Sequence, residues 1–517
     1  MVALAASSCS QLKGNELAEE PAMNVEETVA EVSSCELDKP WAETPKVEVP
    51  DLWTRIVAGY TMGTIKHERI DKHRKWYAKH PDYLARVVDK GSPYLYYIVE
   101  QIEARGMPME IALLPVVESA FDPFAYSRTR AAGMWQFMPG TGKMLGLKQN
   151  WWYDGRRDIT RSTDAALTYL QQLHKRFNGD WLLALAAYNS GAGNVSKAIR
   201  RNTKAGKPTD FFSLGLPKET RYYVPKLIAL AEIYKHPERF NIPVKPIPNE
   251  QHFVKVDIQA QIDLAQAAEL ADIDMDTLYQ LNPAYNRWAT DPAGPHTLLI
   301  PVGKEAHFTQ KLAQVPLDER VVWERYTIKP GDSLSTIARK YKVSIQALKD
   351  ANKMRGTILR AGKGLMVPVA AAGSEHYVAS IDERLKKSQA RAAKKNKNSR
   401  MDYKVKRGDN LWKIATRYGV STRSIARWND MAPTDPIRPG QVLAIWPKKK
   451  HRPNYASTGN NKTVRKVSYK VRSGDSLYRI AQKFSLNIKD IHQWNDLKKQ
   501  KYLQPGQSLT LFVNVAH

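Results

Sequence analysis

Two cysteines in 517 residues, Cys9 and Cys35, both close to the N-terminus, leave the rest of the chain without a disulfide framework or a Cys-x-x-Cys metal site. Long apolar runs are lacking too. The best candidates, residues 111–117 and 181–187, fall far short of the roughly 18 residues that a membrane-crossing helix needs. The 12 histidines are scattered, none in His-Glu-x-x-His spacing, and the glycine-rich stretch at Gly191 to Asn194 has no Lys-Ser/Thr after it. No metal site, phosphate loop or cofactor is therefore expected.

What the chain has in excess is positive charge, 79 Lys+Arg against 52 Asp+Glu for a formal +27. It is unevenly spread. Residues 1–50 carry 3 basic and 10 acidic side chains and residues 321–517 carry 41 and 13, which leaves 51–320 at only +6. A field of this sign favours nucleic acid, anionic lipid or an acidic wall polymer without choosing among them. Nucleic acid is not expected as a partner. The basic runs at 384–400 and 448–466 lack interleaved aromatic platforms, with only Tyr455 interrupting, and read as solvated, self-repelling spacers.

A 43% hydrophobic share with 13 Trp and 24 Tyr is enough for packed cores. From Asp51 to about Phe240 the apolar spacing is helical, as where Leu95, Ile98, Val99 and Ile102 share one face. Pro108 is placed to open a helix that runs through Ile111, Leu114 and Val117 into Glu118. Thr163-Asp164 is expected to open a helix over 165–177 and Asp180 another over 181–188, and a last helix covers 219–234.

Beyond residue 320 the sequence repeats. Tyr326-Thr-Ile-Lys-Pro-Gly331-Asp332 returns as Tyr403 to Gly408-Asp409 and as Tyr469 to Gly474-Asp475, and each copy ends its helical stretch on an asparagine, Asn352, Asn429 and Asn495. Each reads as strand, two helices and strand, with Gly allowing a turn and Asp placed to cap the next helix. A worn fourth copy spans 253–301, with Asn282 but without the Gly-Asp turn. The units resemble the LysM module, which binds N-acetylglucosamine-containing polymers such as peptidoglycan. The resemblance implies glycan contact at Gly331, Asp332, Gly408, Asp409, Gly474 and Asp475.

The chemistry concentrates between Glu118 and Gly142. Glu118 ends an apolar helix, and Leu114, Phe121 and Phe124 around it would desolvate its carboxyl and raise its pKa, as a general acid near neutral pH requires. Glu118-Ser119, Ser127 and the run Gly133-x-x-Gln136-x-Met138-Pro139 closely resemble the first signature of lytic transglycosylases. Ala187-Tyr188-Asn189-Ser-Gly191 and Glu219-Thr-Arg-Tyr-Tyr223-Val224 resemble the second and third, and Arg130 stands where many relatives have Gly.

That resemblance implies cleavage of the β-1,4 bond between N-acetylmuramic acid and N-acetylglucosamine without water. Glu118 would act as acid and then as base while the muramoyl C6 hydroxyl closes a 1,6-anhydro ring. Ser119, Ser127, Gln136, Met138, Tyr188, Asn189, Glu219 and Tyr223 would contact or frame the substrate, although Tyr188 also completes an apolar stripe with Trp181 and Leu185. Ordinary glycosidases need a second carboxylate. Asp122, Asp154 and Asp158 are candidates, so a hydrolytic muramidase stays open, as does an idle wall-binding scaffold.

The expected architecture is thus multidomain: a mostly α, lysozyme-like catalytic domain followed by small α+β (βααβ) LysM modules. Residues 1–50 form an acidic tether, 51–245 the catalytic domain and 246–320 a degenerate LysM-like segment. LysM modules cover 326–368, 403–447 and 469–513, with basic linkers at 369–402 and 448–468. Small residues before Cys9 look like the end of a bacterial lipoprotein signal, so Cys9 is expected to be lipidated. The expected place is the cell envelope and periplasm, with peptidoglycan as partner and the membrane met only through that lipid.

Overall fold

The computed structural model describes residues 51–447 and 464–514, apart from positions 342, 397–399, 473–474 and several between 485 and 505. Cys9, the tether at 1–50, Gly474 and most of the linker 448–468 lie outside the described residues.

The first domain is built from nine helices: α1 (Leu52–Ala58), α2 (Glu68–Ala78), α3 (Pro81–Glu103), α4 (Leu114–Ser119), α5 (Pro139–Met144), α6 (Ile159–Arg176), α7 (Trp181–Ser190), α8 (Ala192–Lys204) and α9 (Lys218–Lys235). α9 is the central post, with Val224, Leu227, Ile228, Leu230 and Ile233 buried against α1, α2, α4 and α7. Each such side chain removed from water contributes about 1.5–3 kcal/mol. Residue 247 returns to the start of the domain, where Leu52 N donates to Ile247 O (2.9 Å) and Ile247 N donates to the Asp51 carboxylate (3.0 Å).

Two helix starts differ from the sequence reading. The run from Pro108 to Glu118 is not one helix but a 3-10 turn (Met109–Leu113) followed by α4. Pro115 lacks the N–H that a continuous helix would use and its ring crowds the preceding turn. α6 opens six residues before position 165, because Asp158 is its cap and accepts from Arg161 N at 2.7 Å. Thr163 is instead buried inside α6, accepting from Trp135 Nε1 (3.0 Å).

Four modules of one design follow. The LysM-like segment has β1 (Phe253–Asp257), α10 (Leu264–Leu270), α11 (Met275–Leu281) and β2 (Thr297–Pro301), then α12 (Glu305–Ala313). The first repeat has β3 (Val322–Thr327), α13 (Leu334–Lys340), α14 (Ile345–Ala351) and β4 (Gly364–Val369). The stretch 369–402, expected as a spacer, holds α15 (Ile381–Lys395). The second repeat has β5 (Met401–Lys404), α16 (Leu411–Arg417), α17 (Thr422–Trp428) and β6 (Val442–Ile445); the third has β7 (Val464–Lys470), α18 (Leu477–Phe484) and β8 (Ser508–Asn514). Each strand pair is antiparallel.

The repeated asparagine has a structural use in every copy. Asn429 Nδ2 donates to Ile425 O (2.8 Å) and Ala444 O (2.9 Å) while its Oδ1 accepts from Ala444 N (2.8 Å), so one side chain fastens the second helix to the closing strand. Asn352, Asn495 and Asn282 do the same. The turn aspartates do not cap the next helix as expected. Asp409 accepts from the Tyr403 hydroxyl (2.6 Å) and Lys406 N (2.8 Å), Asp332 and Asp475 bond in the same way, and the caps are Ser333 and Asn410.

The described residues up to 384 form one compact unit and those from 385 onward another. In the first, the LysM-like segment, the first repeat and Trp152 and Tyr153 of the catalytic domain share one core. In the second, the two later repeats have separate cores. Asn429→Ala should therefore cost about 2–4 kcal/mol, and hydrogen exchange should show faster amides in 403–446 with those of 464–514 unchanged.

Candidate active site

Glu118 occupies the last turn of α4, and the helix ends abruptly just past it. Ala120 and Phe121 both take left-handed backbone conformations (φ 54° and 55°), and their N–H groups close onto Val116 O and Pro115 O. Such conformations are costly for residues with a Cβ. Phe121 is buried against α3 at Gly91, where an added Cβ would stand 2.6 Å from its ring. Packing thus holds the strained turn that presents Glu118 to α9.

The half-buried carboxyl of Glu118 meets α9. The Tyr223 hydroxyl donates to Glu118 Oε1. Burial pushes the Glu118 pKa up to about 7; Tyr223 and Lys226 pull against it and Glu219 adds to it. Tyr223 is itself held well above its ordinary value, by burial first and then by the charge of Glu118, so it stays a proton donor across the working pH range.

Opposite α9 lies the loop from Tyr126 to Met138. Ser119 Oγ donates to Met134 O (3.0 Å) and the Tyr188 hydroxyl to Trp135 O (2.8 Å), which fastens this loop to α4 and α7. Gln136, with φ 50°, turns its amide back to donate to Gly133 O (2.7 Å), and Gly133 (φ 81°) passes so close to Arg156 O that a Cβ would lie 1.8 Å from it. Arg130 also has a left-handed φ of 81°, a conformation glycine adopts without strain.

The sequence-selected residues therefore divide. Glu118, Tyr223 and Tyr188 come together, and Glu219 bears on the first two from the exposed first turn of α9. Met138 is 42% exposed on the loop. Ser119, expected at the substrate, is spent on the loop; Ser127 accepts from Ala131 N (2.8 Å) and Thr129 N (3.2 Å) in its own turn, and Asn189 accepts from the Thr220 hydroxyl (2.8 Å), tying α7 to α9.

The other carboxylates also have structural uses. Asp122 accepts from Phe124 N (2.9 Å), Asp154 grips Arg156 (2.8 Å), and Asp158 caps α6 and accepts from the Tyr153 hydroxyl (2.7 Å). Sequence reasoning missed Lys226 and Arg156. Lys226 was legible as one turn beyond Tyr223 on the same helix, whereas Arg156, besides its pair with Asp154, bonds through Nη1 to the backbone carbonyls of Arg130 and Phe137, which sequence does not show. No group of three or more His, Cys, Asp or Glu able to hold a metal occurs among the described residues. A cavity of about 560 Å³ lies elsewhere, between the LysM-like segment and residues 371–376, lined by Asp263, Glu269, Met275, Glu319 and His376 among others.

A raised-pKa carboxyl at a helix end, clasped by a tyrosine inside a helical domain that leads into βααβ modules, defines a lytic transglycosylase with LysM repeats. The Transglycosylase SLT domain model matches 96–211, the LysM-like domain of lytic transglycosylase MltD matches 252–317, and the LysM domain matches 326–368, 403–446 and 469–512. Membrane-bound lytic murein transglycosylase D of Escherichia coli K12 is 38% identical over 418 residues, 78% of this chain and 87% of that protein. The chain belongs to the lytic murein transglycosylase D family and is a peptidoglycan-lytic enzyme. The autolysin of Enterococcus faecalis V583 is 29% identical over 34% of this chain and 22% of its own. The inactive lytic transglycosylase Slt of Pseudomonas aeruginosa aligns at 29% identity over 29% of this chain and 25% of that one, with a TM-score of 0.22.

A carboxyl raised from 4.5 to about 7 binds its proton more tightly in the folded state, so the fold loses stability as pH climbs through that window. Glu118→Gln should melt higher than wild type at pH 8, by about 1–3 kcal/mol. Thermal unfolding at several pH values should show the difference shrinking to nothing below the lower end of the window.

Proposed function

We propose that the enzyme cleaves the β-1,4 bond between N-acetylmuramic acid and N-acetylglucosamine without water, leaving 1,6-anhydromuramoyl ends. The observation that carries this is the state of Glu118, whose pKa of about 7 and bond from Tyr223 equip one group to give and then take a proton. Protonated Glu118 donates to the glycosidic oxygen as the bond to the muramoyl C1 breaks. The charge developing at C1 is stabilised by the sugar's own acetamido group. Glu118, now a carboxylate held by Tyr223, takes the proton of the C6 hydroxyl as that oxygen closes on C1, and the acid is regenerated.

In this reading Gln136 and Met138 line the cleft, while Ser127 and Asn189 shape its walls. Tyr188 and Ser119 position the loop. The LysM repeats and the basic segments between them hold the enzyme on the wall, with avidity exceeding that of one module by roughly 10²–10⁴ where they engage together. Lipidation of Cys9, with 1–50 as tether, would place the enzyme in the periplasm at the outer membrane.

Hydrolysis has one observation in its favour: Glu219 is a second carboxylate whose charge reaches Glu118. Mass spectrometry of muropeptides released from purified sacculi decides. Anhydro ends are expected; reducing ends would mean that water is the nucleophile, and no release from wild type would mean a scaffold. Glu118→Gln should stop release yet still sediment with sacculi. Activity of the wild type should fall as pH rises above about 7, when the acid loses its proton. Removing 385–517, the second compact unit, should weaken sedimentation and make it less sensitive to salt.

A further inference from the structure

The segment from Trp151 to Arg157 is shared between the catalytic loop and the LysM-like module. On the module side, Asp154 N donates to Ala284 O (2.9 Å) and Asn286 N to Trp152 O (2.7 Å), while the rings of Tyr153 and Tyr285 lie 5.5 Å apart. Arg287 lays its guanidinium over Trp151 (4.3 Å), donates through Nε to Trp151 O (3.3 Å) and pairs with Asp382 (2.8 Å). Trp151, Trp152 and Trp288 close the seam edge to face, 4.5–5.7 Å apart.

On the catalytic side one buried side chain does the holding. Arg156 is gripped on Nε and Nη2 by Asp154 (2.9 and 2.8 Å). Its remaining nitrogen, Nη1, donates to Arg130 O (2.7 Å) and Phe137 O (3.2 Å), the two ends of the loop that carries Gln136. The same loop lies against Glu118's helix through Ser119 and against Tyr188. A planar guanidinium spans a carboxylate and two carbonyls at once; an ammonium, a single point of charge, does not.

We propose that the LysM-like module is a brace for catalysis: residues Ala284 to Arg287 hold the segment from Trp151 to Arg157, and Arg156, as a positioning residue, holds the loop from Arg130 to Phe137 at the working distance from Glu118. The module so placed belongs to the active site's support, whatever glycan contact the later repeats make. The inference rests on the lytic reading of Glu118, and its test separates the two.

In the full-length protein, Arg287→Ala and Arg156→Lys are compared with wild type on soluble, uncross-linked glycan strands, with activity scored per folded molecule. Arg156→Lys should lower kcat roughly tenfold or more, as small misplacements in an active site do, with KM changed far less. Arg287→Ala, on the module side of the seam, should lower kcat in the same way by a smaller factor. In both, the pH at which activity is lost should move below that of wild type, because a loosened loop admits water to Glu118, and sedimentation with sacculi should be unchanged. Wild-type kcat and pH profile in both variants would overturn the brace, as would a loss that disappears once unfolded protein is discounted. Absence of cleavage by wild type would instead overturn the lytic reading itself.

Discussion

A carboxyl kept partly from water yet open to a sugar is the constraint on which the catalytic domain is organised. A Glu in water is ionised well below neutrality, and it is chiefly burial that brings Glu118 up to about 7. Burial alone would leave it unheld, so Tyr223 supplies a bond to one oxygen and leaves the other for substrate. The backbone bends to that need: Ala120, Phe121, Arg130 and Gln136, all with left-handed φ, lie in the segment around the acid. Strain at a functional site persists where the surroundings over-determine it, and here Gly91 behind Phe121 and Arg156 behind Gly133 do so.

The repeats answer a different constraint. A module of about 45 residues buries little apolar area, so its few polar side chains must be fully used. One asparagine fastens the second helix to the closing strand, and one aspartate fastens the turn to the opening strand's tyrosine. The turn aspartates thus have a structural use within the module. The worn copy keeps the asparagine and loses the turn, and its Asp263, the cap of α10, accepts also from Tyr377, far along the chain. It has added an attachment to the chain beyond it.

Much of this was legible in the sequence. Helical spacing, the Asp180 cap, the strand pairs and the register of the repeats all follow from local patterns, and Glu118 was found because it lies in a dense, ordered signature. What sequence did not show is which polar atoms bond to backbone. Ser119, Tyr188 and Asn189 carry groups that suit a sugar as well as they suit a carbonyl, and only the fold shows that their bonds are made inside the protein. The same blindness hid the carbonyl partners of Arg156. The stretch 369–402 misled for another reason: its composition is that of a spacer, but a run of Ala, Lys, Arg, Gln and Leu is also good helix material, and α15 forms there.

Each described sheet has only two strands, so both of its strands are edges with backbone groups free to pair with another chain. Arg325, Lys404 and Lys470 stand exposed on these strands. Cations in such places discourage one module from zipping onto another molecule's module, in an enzyme that the wall itself would crowd. Part of the surplus charge on this chain thus acts as insulation between neighbours, and a variant neutralised to reduce wall contact would also lose its guard against self-association.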